Sequence, residues 1–302
     1  MLAIVIPYFK VTFFEETINS LAGQTNKNFK VYIGDDASPE CPKKILKEFE
    51  SKLNFKYQKF ENNLGSISLV QQWNRCIDLI EDEEWIMILG DDDFLEETVV
   101  ENWYKNYEDF NKKSNVIRFA TKDVYEETSI ISKKIIQPKW EKAIDAFYRR
   151  NTGLTGSTLS EYVFSKEIYS DKGFVDYPLA WHSDEQAWLD FSDEKPIYTI
   201  NESVVFVRLS TINITGKKDN FGLKNKATLL FQKNFISKYL YFLPKPKRLH
   251  YLLIYETTLK INDKLDVFKW RYLFKMYLSN FKLKPFLKFI RRFILSIIRY
   301  KK

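Results

Sequence analysis

Three consecutive carboxylates, Asp91-Asp92-Asp93, stand directly after the apolar run Trp85-Ile86-Met87-Ile88-Leu89-Gly90. Crowding three negative charges is unfavourable by mutual repulsion, so a cation should offset them. A hard divalent ion takes oxygen ligands, and Mg²⁺ uses one or two carboxylates together with substrate phosphates. Alternate residues of an extended chain face the same way, which makes Asp91 and Asp93 the natural pair. An acidic turn or helix start accounts equally well for a bare Asp triplet; its place behind a buried strand is what favours chemistry.

Other groups have competing readings. Asp35-Asp36-Ala37-Ser38 closes the run Val31-Tyr32-Ile33-Gly34. A carboxylate there can accept from a base N–H or a ribose hydroxyl, or cap the next helix through an Asx turn, and the residues alone favour the turn. In Asn62-Asn63-Leu64-Gly65-Ser66, Gly65 permits an unusual backbone or a close approach to a ligand, and Ser66 can cap a helix. A plain strand-to-helix turn explains most of that segment. Asp184 lies beside Trp181 in Pro178–Gln186, where partial desolvation would raise its pKa and suit general-base work. The competing reading, stronger on the residues alone, makes Ser183 or Asp184 the N-cap of a helix over Glu185–Phe191. His182 can bind a metal or move a proton, although a lone His is more often structural.

The elements that must position these groups alternate. Strand candidates are Leu2–Pro7, Phe29–Gly34, Phe55–Phe60, Trp85–Leu89 and Val116–Ala120, and helix candidates are Thr12–Gln24, Pro42–Leu53, Ser66–Ile80 and Glu96–Asn111. Continuous apolar strands alternating with helices argue a doubly wound sheet covered on both faces. Ligands bind beyond the carboxyl ends of such strands, and Pro7-Tyr8, Asp35-Asp36 and Asp91-Asp92-Asp93 all fall at that edge. From Lys122 to about Arg208 the alternation gives way to strands (Tyr162–Phe164, Ile197–Arg208) mixed with short helices (Trp140–Arg150, Glu185–Phe191). From about Gly216 the pattern is helical, aromatic and basic, with the junction near Thr215–Asn220.

Composition sets the class. A hydrophobic fraction of 45% with 17% aromatics in 302 residues excludes a disordered chain. Two cysteines, Cys41 and Cys76, make no disulfide framework, and a reduced cytosolic setting is the simplest expectation. The amino-terminal apolar run stops at Pro7, too short for a signal peptide, and reads as the first strand. The net charge of +7 hides an asymmetry: residues 217–302 hold 22 Lys and Arg against 4 Asp and Glu, whereas the rest holds 25 against 36. A basic tail on an acidic body points to an anionic partner.

Taken in order, Val5-Ile6-Pro7-Tyr8, Val31–Ser38, Asn63-Leu64-Gly65 and Asp91-Asp92-Asp93 resemble the family 2 glycosyltransferases, and most closely the bacterial members acting in surface polysaccharide assembly. The resemblance covers about residues 1–210. It implies an α/β GT-A fold, a mixed and mostly parallel sheet flanked by helices. The catalytic domain is then 1–215, with a nucleotide-sugar half at about 1–120 and an acceptor half at 121–215, followed by a basic helical region at 216–302. It further implies a metal-dependent, inverting transfer from a nucleotide-diphosphate donor, expected to be a UDP-sugar, onto a glycan or lipid-linked saccharide, with Mn²⁺ or Mg²⁺ as cofactor. By the same resemblance Pro7 and Tyr8 border the nucleobase, Asp35 or Asp36 binds base or ribose, and Asn63, Gly65, Asp91 and Asp92 line the nucleotide-sugar site. Asp91 and Asp93 hold the metal, and Asp184 is the base. The family often shows Glu-Asp at the acceptor motif, whereas this chain reads Ser183-Asp184-Glu185, so Glu185 stays a candidate. The rival readings are a nucleotidyltransferase, for which the first loop offers only Lys10 near a triphosphate, and an inactive membrane-bound scaffold.

The last helix carries its own signal. At about 100° per residue, Phe286, Phe289, Ile290, Phe293, Ile294 and Ile297 share one face, with Lys288, Arg291, Arg292 and Arg299 opposite. This is the pattern of an interfacial helix on an anionic membrane. A peripheral place on the inner face of the membrane is therefore expected, and no nucleic-acid partner, because no recognition module accompanies the charge. The competing reading docks this helix on its own domain or on a twin subunit, which leaves self-association open.

Overall fold

The structure, a computed structural model, describes residues 1–212, 216, 220–262 and 265–299, without the side chains of Ile297 and Arg299. It forms two compact units, Met1–Asn220 and Phe221–Lys302. Most of the expected junction, Thr215–Asn220, lies outside the described residues, as do Lys301 and Lys302.

In the first unit β1 (Leu2–Tyr8) pairs in parallel with β2 (Phe29–Asp35) on one side and β4 (Trp85–Ile88) on the other, and β2 pairs in parallel with β3 (Phe55–Lys59). Alternation along β1 builds two cores. Leu2, Ile4 and Ile6 pack with α1 (Phe14–Ala22), α2 (Lys43–Phe49) and α4 (Val99–Phe110), whereas Ala3 and Val5 face α3 (Leu69–Ile77). Both faces are buried, which is why the strand reads as an unbroken apolar run.

Beyond β4 the sheet changes direction. The short strand β5 (Phe94–Leu95) and the long β6 (Val116–Tyr125) are followed by β7 (Ile130–Ile131) and β8 (Trp140–Glu141), then by α5 (Ala143–Asn151). The next strand, β9 (Tyr162–Ser165), runs antiparallel between β4 and β6. After α6 (Lys166–Lys172) and α7 (Ser183–Ser192), β10 (Ile197–Leu209) pairs in parallel with β6 and antiparallel with β5. The path across the sheet is β3-β2-β1-β4-β9-β6-β10-β5. The expected mixed, mostly parallel sheet flanked by helices is what forms, with β9 and the short β5, β7 and β8 running against the rest. Trp140 and Glu141, expected in a helix, instead pair as a short strand with Ile197 and Tyr198, and the helix starts at Ala143.

The second unit holds α8 (Phe221–Lys238), α9 (Lys245–Asn262), α10 (Val267–Ser279) and α11 (Leu283–Arg299). Its last helix overturns an expectation. The phenylalanine face is packed inward: Phe289 is 1% exposed and stacks on Tyr277 with ring centroids 4.3 Å apart, Phe293 meets Trp270 at 4.9 Å, and Phe286 meets Phe274 at 5.6 Å. Arg292, expected to point away from that face toward lipid, reaches Glu256 of α9 with Nε at 2.8 Å from Oε1 and Nη2 at 2.8 Å from Oε2. The cause is Glu256 itself: it is 1% exposed, and a carboxylate so buried needs a bidentate cation. Lys260 pairs with it at 2.5 Å, and the Tyr277 hydroxyl donates to it at 3.2 Å. Burial works against its charge, but Arg292 and Lys260 together hold Glu256 below the usual carboxylate range. Glu256→Ala strands a partly buried guanidinium, so it is expected to cost about 3–5 kcal/mol, read from the denaturant midpoint. A shift below about 1 kcal/mol would show that the pair is a surface-type contact.

Candidate active site

The carboxyl ends of β1, β2 and β4 converge on one edge, and the hydrogen bonds there separate the expected site residues by role. Tyr8 is fully buried, packs on Phe14 with ring centroids 4.6 Å apart, and donates its hydroxyl to the Glu40 carbonyl at 2.8 Å. It therefore supports the edge from below, and Pro7 before it is half-buried. Asp35 is also fully buried. Its Oδ1 accepts from Ser38 N–H at 2.7 Å, and its Oδ2 accepts from the Tyr57 hydroxyl at 2.6 Å. Asp36 accepts from the N–H groups of Leu64 at 2.7 Å and Gly65 at 2.9 Å, and pairs with Arg75, whose guanidinium lies 4.0 Å over the Phe60 ring. Burial raises its pKa; the two N–H donors and Arg75 oppose that rise.

These contacts show what holds each of these residues in place. Both second-strand aspartates accept from protein donors, and Asp36 latches the 63–66 loop. Gly65 is needed for close approach to Asp36, because a Cβ there would lie 2.5 Å from Asp36 Oδ2. Asn63 Oδ1 accepts from Ser66 N–H at 2.8 Å, and the helix cap is Ser68, not Ser66.

The Asp triplet is also divided. The strand ends at Ile88 and residues 91–92 form a turn, so alternation no longer applies and Asp91 and Asp93 point to different partners. Asp91 Oδ2 accepts from Phe9 N–H at 2.7 Å and Lys10 N–H at 2.8 Å, tying the triplet to the loop after β1. Asp93 is 7% exposed; its Oδ1 accepts from Arg208 N–H at 2.8 Å, and its Oδ2 accepts from the Ser160 hydroxyl. Asp92 is half-buried, with Oδ1 folded back so that a Cβ on Gly90 would meet it at 2.9 Å. Burial, and next the charge of Asp92, push the Asp91 pKa up to about 6 and the Asp93 pKa up to about 8. A site that holds protons this tightly is one whose negative field calls for a cation. Among the described residues no group of three or more Asp, Glu, His or Cys is arranged to hold an ion alone.

Asp184 is in the first turn of α7. The N-cap is His182, in a left-handed backbone with φ 70°, so neither Ser183 nor Asp184 caps the helix. Glu185 is buried and paired to His182 Nδ1 and, at 3.5 Å, to Arg150 Nε. Burial works against it, yet His182 and Arg150 hold Glu185 below the ordinary carboxylate range. Asp184 is half-buried, and burial with the neighbouring Glu185 charge pushes it up to about 6.

The segment just before β9 braces the triplet. Its Ser160 donates to Asp93 and accepts from Gly90 N–H at 3.1 Å. Its neighbour Glu161 is 2% exposed, accepts from Thr158 N–H and hydroxyl at 3.1 and 2.9 Å, and feels the charge of Asp184. Burial lifts Glu161 to about 7. Neither residue stands out in the sequence, where Ser157–Glu161 is a short polar run. Arg208, also missed, is 6% exposed, donates from Nε to the Asp92 carbonyl at 3.0 Å, and pairs with Glu16 and Glu126. A cavity of this unit is lined by Arg118, Arg150, Ser157 and Glu185, beside the Asp184 turn, and none of the strand-end aspartates lines it.

Comparison with known proteins agrees with this architecture. No curated protein matches the sequence. Among solved structures, residues 1–349 of S. aureus TarS in complex with UDP-GlcNAc superpose with a TM-score of 0.65 at 14% identity, covering 92% of this chain and 80% of that one. Mannosyltransferase PcManGT from Pyrobaculum calidifontis, in complex with GDP-Man and Mn²⁺, gives 0.58 at 11% identity, covering 98% and 80%. At such identities the likeness shows the fold, which is the expected GT-A arrangement. A sequence model of "Glycosyl transferase family 2" matches residues 3–165, more than half the chain and every strand from β1 to β9. With the strand-end aspartates and their bracing strand inside that match, the chain belongs to glycosyl transferase family 2.

Proposed function

We propose that this glycosyltransferase moves a sugar from a nucleotide-diphosphate donor, a UDP-sugar, to a hydroxyl of a glycan or lipid-linked saccharide, with a divalent cation and inversion of configuration. The observation that carries the reading is the braced Asp91-Asp92-Asp93 turn at the carboxyl edge of the parallel strands, inside the part of the chain that the family model matches. The bound UDP-GlcNAc of TarS and the Mn²⁺ of the mannosyltransferase support the donor and cation classes.

The residues divide the work. Asp91 has Oδ1 to offer a cation once Oδ2 has taken the two loop N–H groups, and Asp92 supplies the second carboxylate. The cation, Mn²⁺ or Mg²⁺, would neutralise charge on the leaving diphosphate. Asp93 braces that turn against β10. Pro7, Asp35, Asp36 and the loop at Asn63–Gly65 shape the nucleoside side. Asp184 takes the proton of the acceptor hydroxyl, and Glu185, held by His182 and Arg150, fixes the turn that carries it. With one base and no second carboxylate in a nucleophile's role, single displacement inverts the anomeric centre.

Release of free nucleotide diphosphate tests this directly. A panel of UDP- and GDP-sugars with a saccharide acceptor should give Mn²⁺-stimulated release with one of the UDP donors and none after chelation. Pyrophosphate release from a nucleoside triphosphate instead would establish the nucleotidyltransferase.

A further inference from the structure

The face of α11 that the stacked phenylalanines leave uncovered has a pattern of its own. Leu283, Ile294, Leu287 and Ile298 fall within about 60° of one another on the helix, and they are 63%, 48%, 57% and 54% exposed. Lys284, Lys288 and Arg291, all exposed, border that stripe and share an open groove with Leu283 and Leu287. Residues 267–302 hold eleven Lys and Arg and no Asp or Glu. No helix among the described residues is long and apolar enough to cross a membrane.

The occupant of this face must accept both its charge and its apolar stripe. A second copy meeting it face to face would set cation against cation, which complementary interfaces avoid. A nucleic acid offers phosphates but no apolar layer for four aliphatic side chains. An anionic bilayer offers both: headgroups for the bordering cations and an acyl boundary for the stripe. We propose that α11 is a surface anchor for anionic lipid through Leu283, Leu287, Ile294 and Ile298, and not through the phenylalanine face. This holds whatever sugar the enzyme transfers.

The full chain should sediment with vesicles of equal parts phosphatidylcholine and phosphatidylglycerol and stay in solution with phosphatidylcholine alone. Leu287→Glu/Ile294→Glu changes two exposed positions, so thermal unfolding should be unaltered while vesicle partition falls at least about tenfold. Lys284→Ser/Lys288→Ser/Arg291→Ser should lower partition on the order of a hundredfold at low salt. Absence of binding by the intact chain overturns the proposal, as does binding that the double glutamate variant retains. So does a variant-sensitive dimer, or variant-sensitive binding to RNA or DNA, in protein that ignores vesicles.

Discussion

Asp184→Asn is expected to lower kcat by about 10²- to 10⁴-fold, the range of a positioned general base, with donor affinity within about twofold of the native value. The substitution keeps the shape of the side chain and removes its ability to take a proton. Steady-state rates at saturating donor and acceptor, with donor titration by calorimetry, separate the two effects. The pH profile carries the same assignment. Burial and Glu185 raise the Asp184 pKa to about 6, so the ionised, working form is lost as pH falls through that value. The rate should drop about tenfold per pH unit below it and be flat just above. Glu185→Gln should act differently, because Glu185 is already paired to His182 and Arg150. Its loss loosens the first turn of α7 and costs less than the Asp184 change. A severe Glu185→Gln and a mild Asp184→Asn would exchange the two roles.

How far the site could be read from sequence follows from which contacts are local. The apolar runs of β1 and β4 and the acids behind them are local, so the sheet and its functional edge were legible. The orientations within the triplet were not. Extended-chain alternation paired Asp91 with Asp93, but the chain turns at residues 91–92, and hydrogen bonds to Phe9, Lys10, Ser160 and Arg208 settle each orientation. All of those partners lie at least 67 residues away. Glu161 was invisible for the same reason: its importance lies in being buried near Asp184, and a Glu in a polar run signals nothing. The last helix shows the limit of periodicity. It bears two apolar stripes at helical spacing, one aromatic and one aliphatic, and a buried Glu256 thirty-six residues earlier decides which turns inward. A pattern on α11 alone cannot contain that information.

The strongest loss after the base is expected at Asp92. Its charge is the second cause, after burial, of the raised proton affinity of both Asp91 and Asp93, so a cation placed against it would relieve the cluster. Asp92→Asn removes that charge from the turn and should weaken Mn²⁺-dependent donor binding on the order of a hundredfold or more. Asp93→Asn should behave otherwise. Its side-chain oxygen can still accept from Arg208 N–H, and its amide can donate to Ser160, so the turn keeps its brace. Metal-dependent donor affinity should fall by about tenfold, the low end of the scale for a change behind a ligand. Stability gives an independent readout. A carboxylate whose folded pKa is raised to about 8 contributes stability that is full below its unfolded pKa and is lost as pH rises through 8. In metal-free protein Asp93→Asn should therefore flatten the decline in melting temperature between about pH 5 and 8. Added Mn²⁺ with UDP should flatten it in the native chain by supplying the missing positive charge. Abolished metal-dependent binding in Asp93→Asn, with binding intact in Asp92→Asn, would move the metal ligand to Asp93 and make Asp92 the brace.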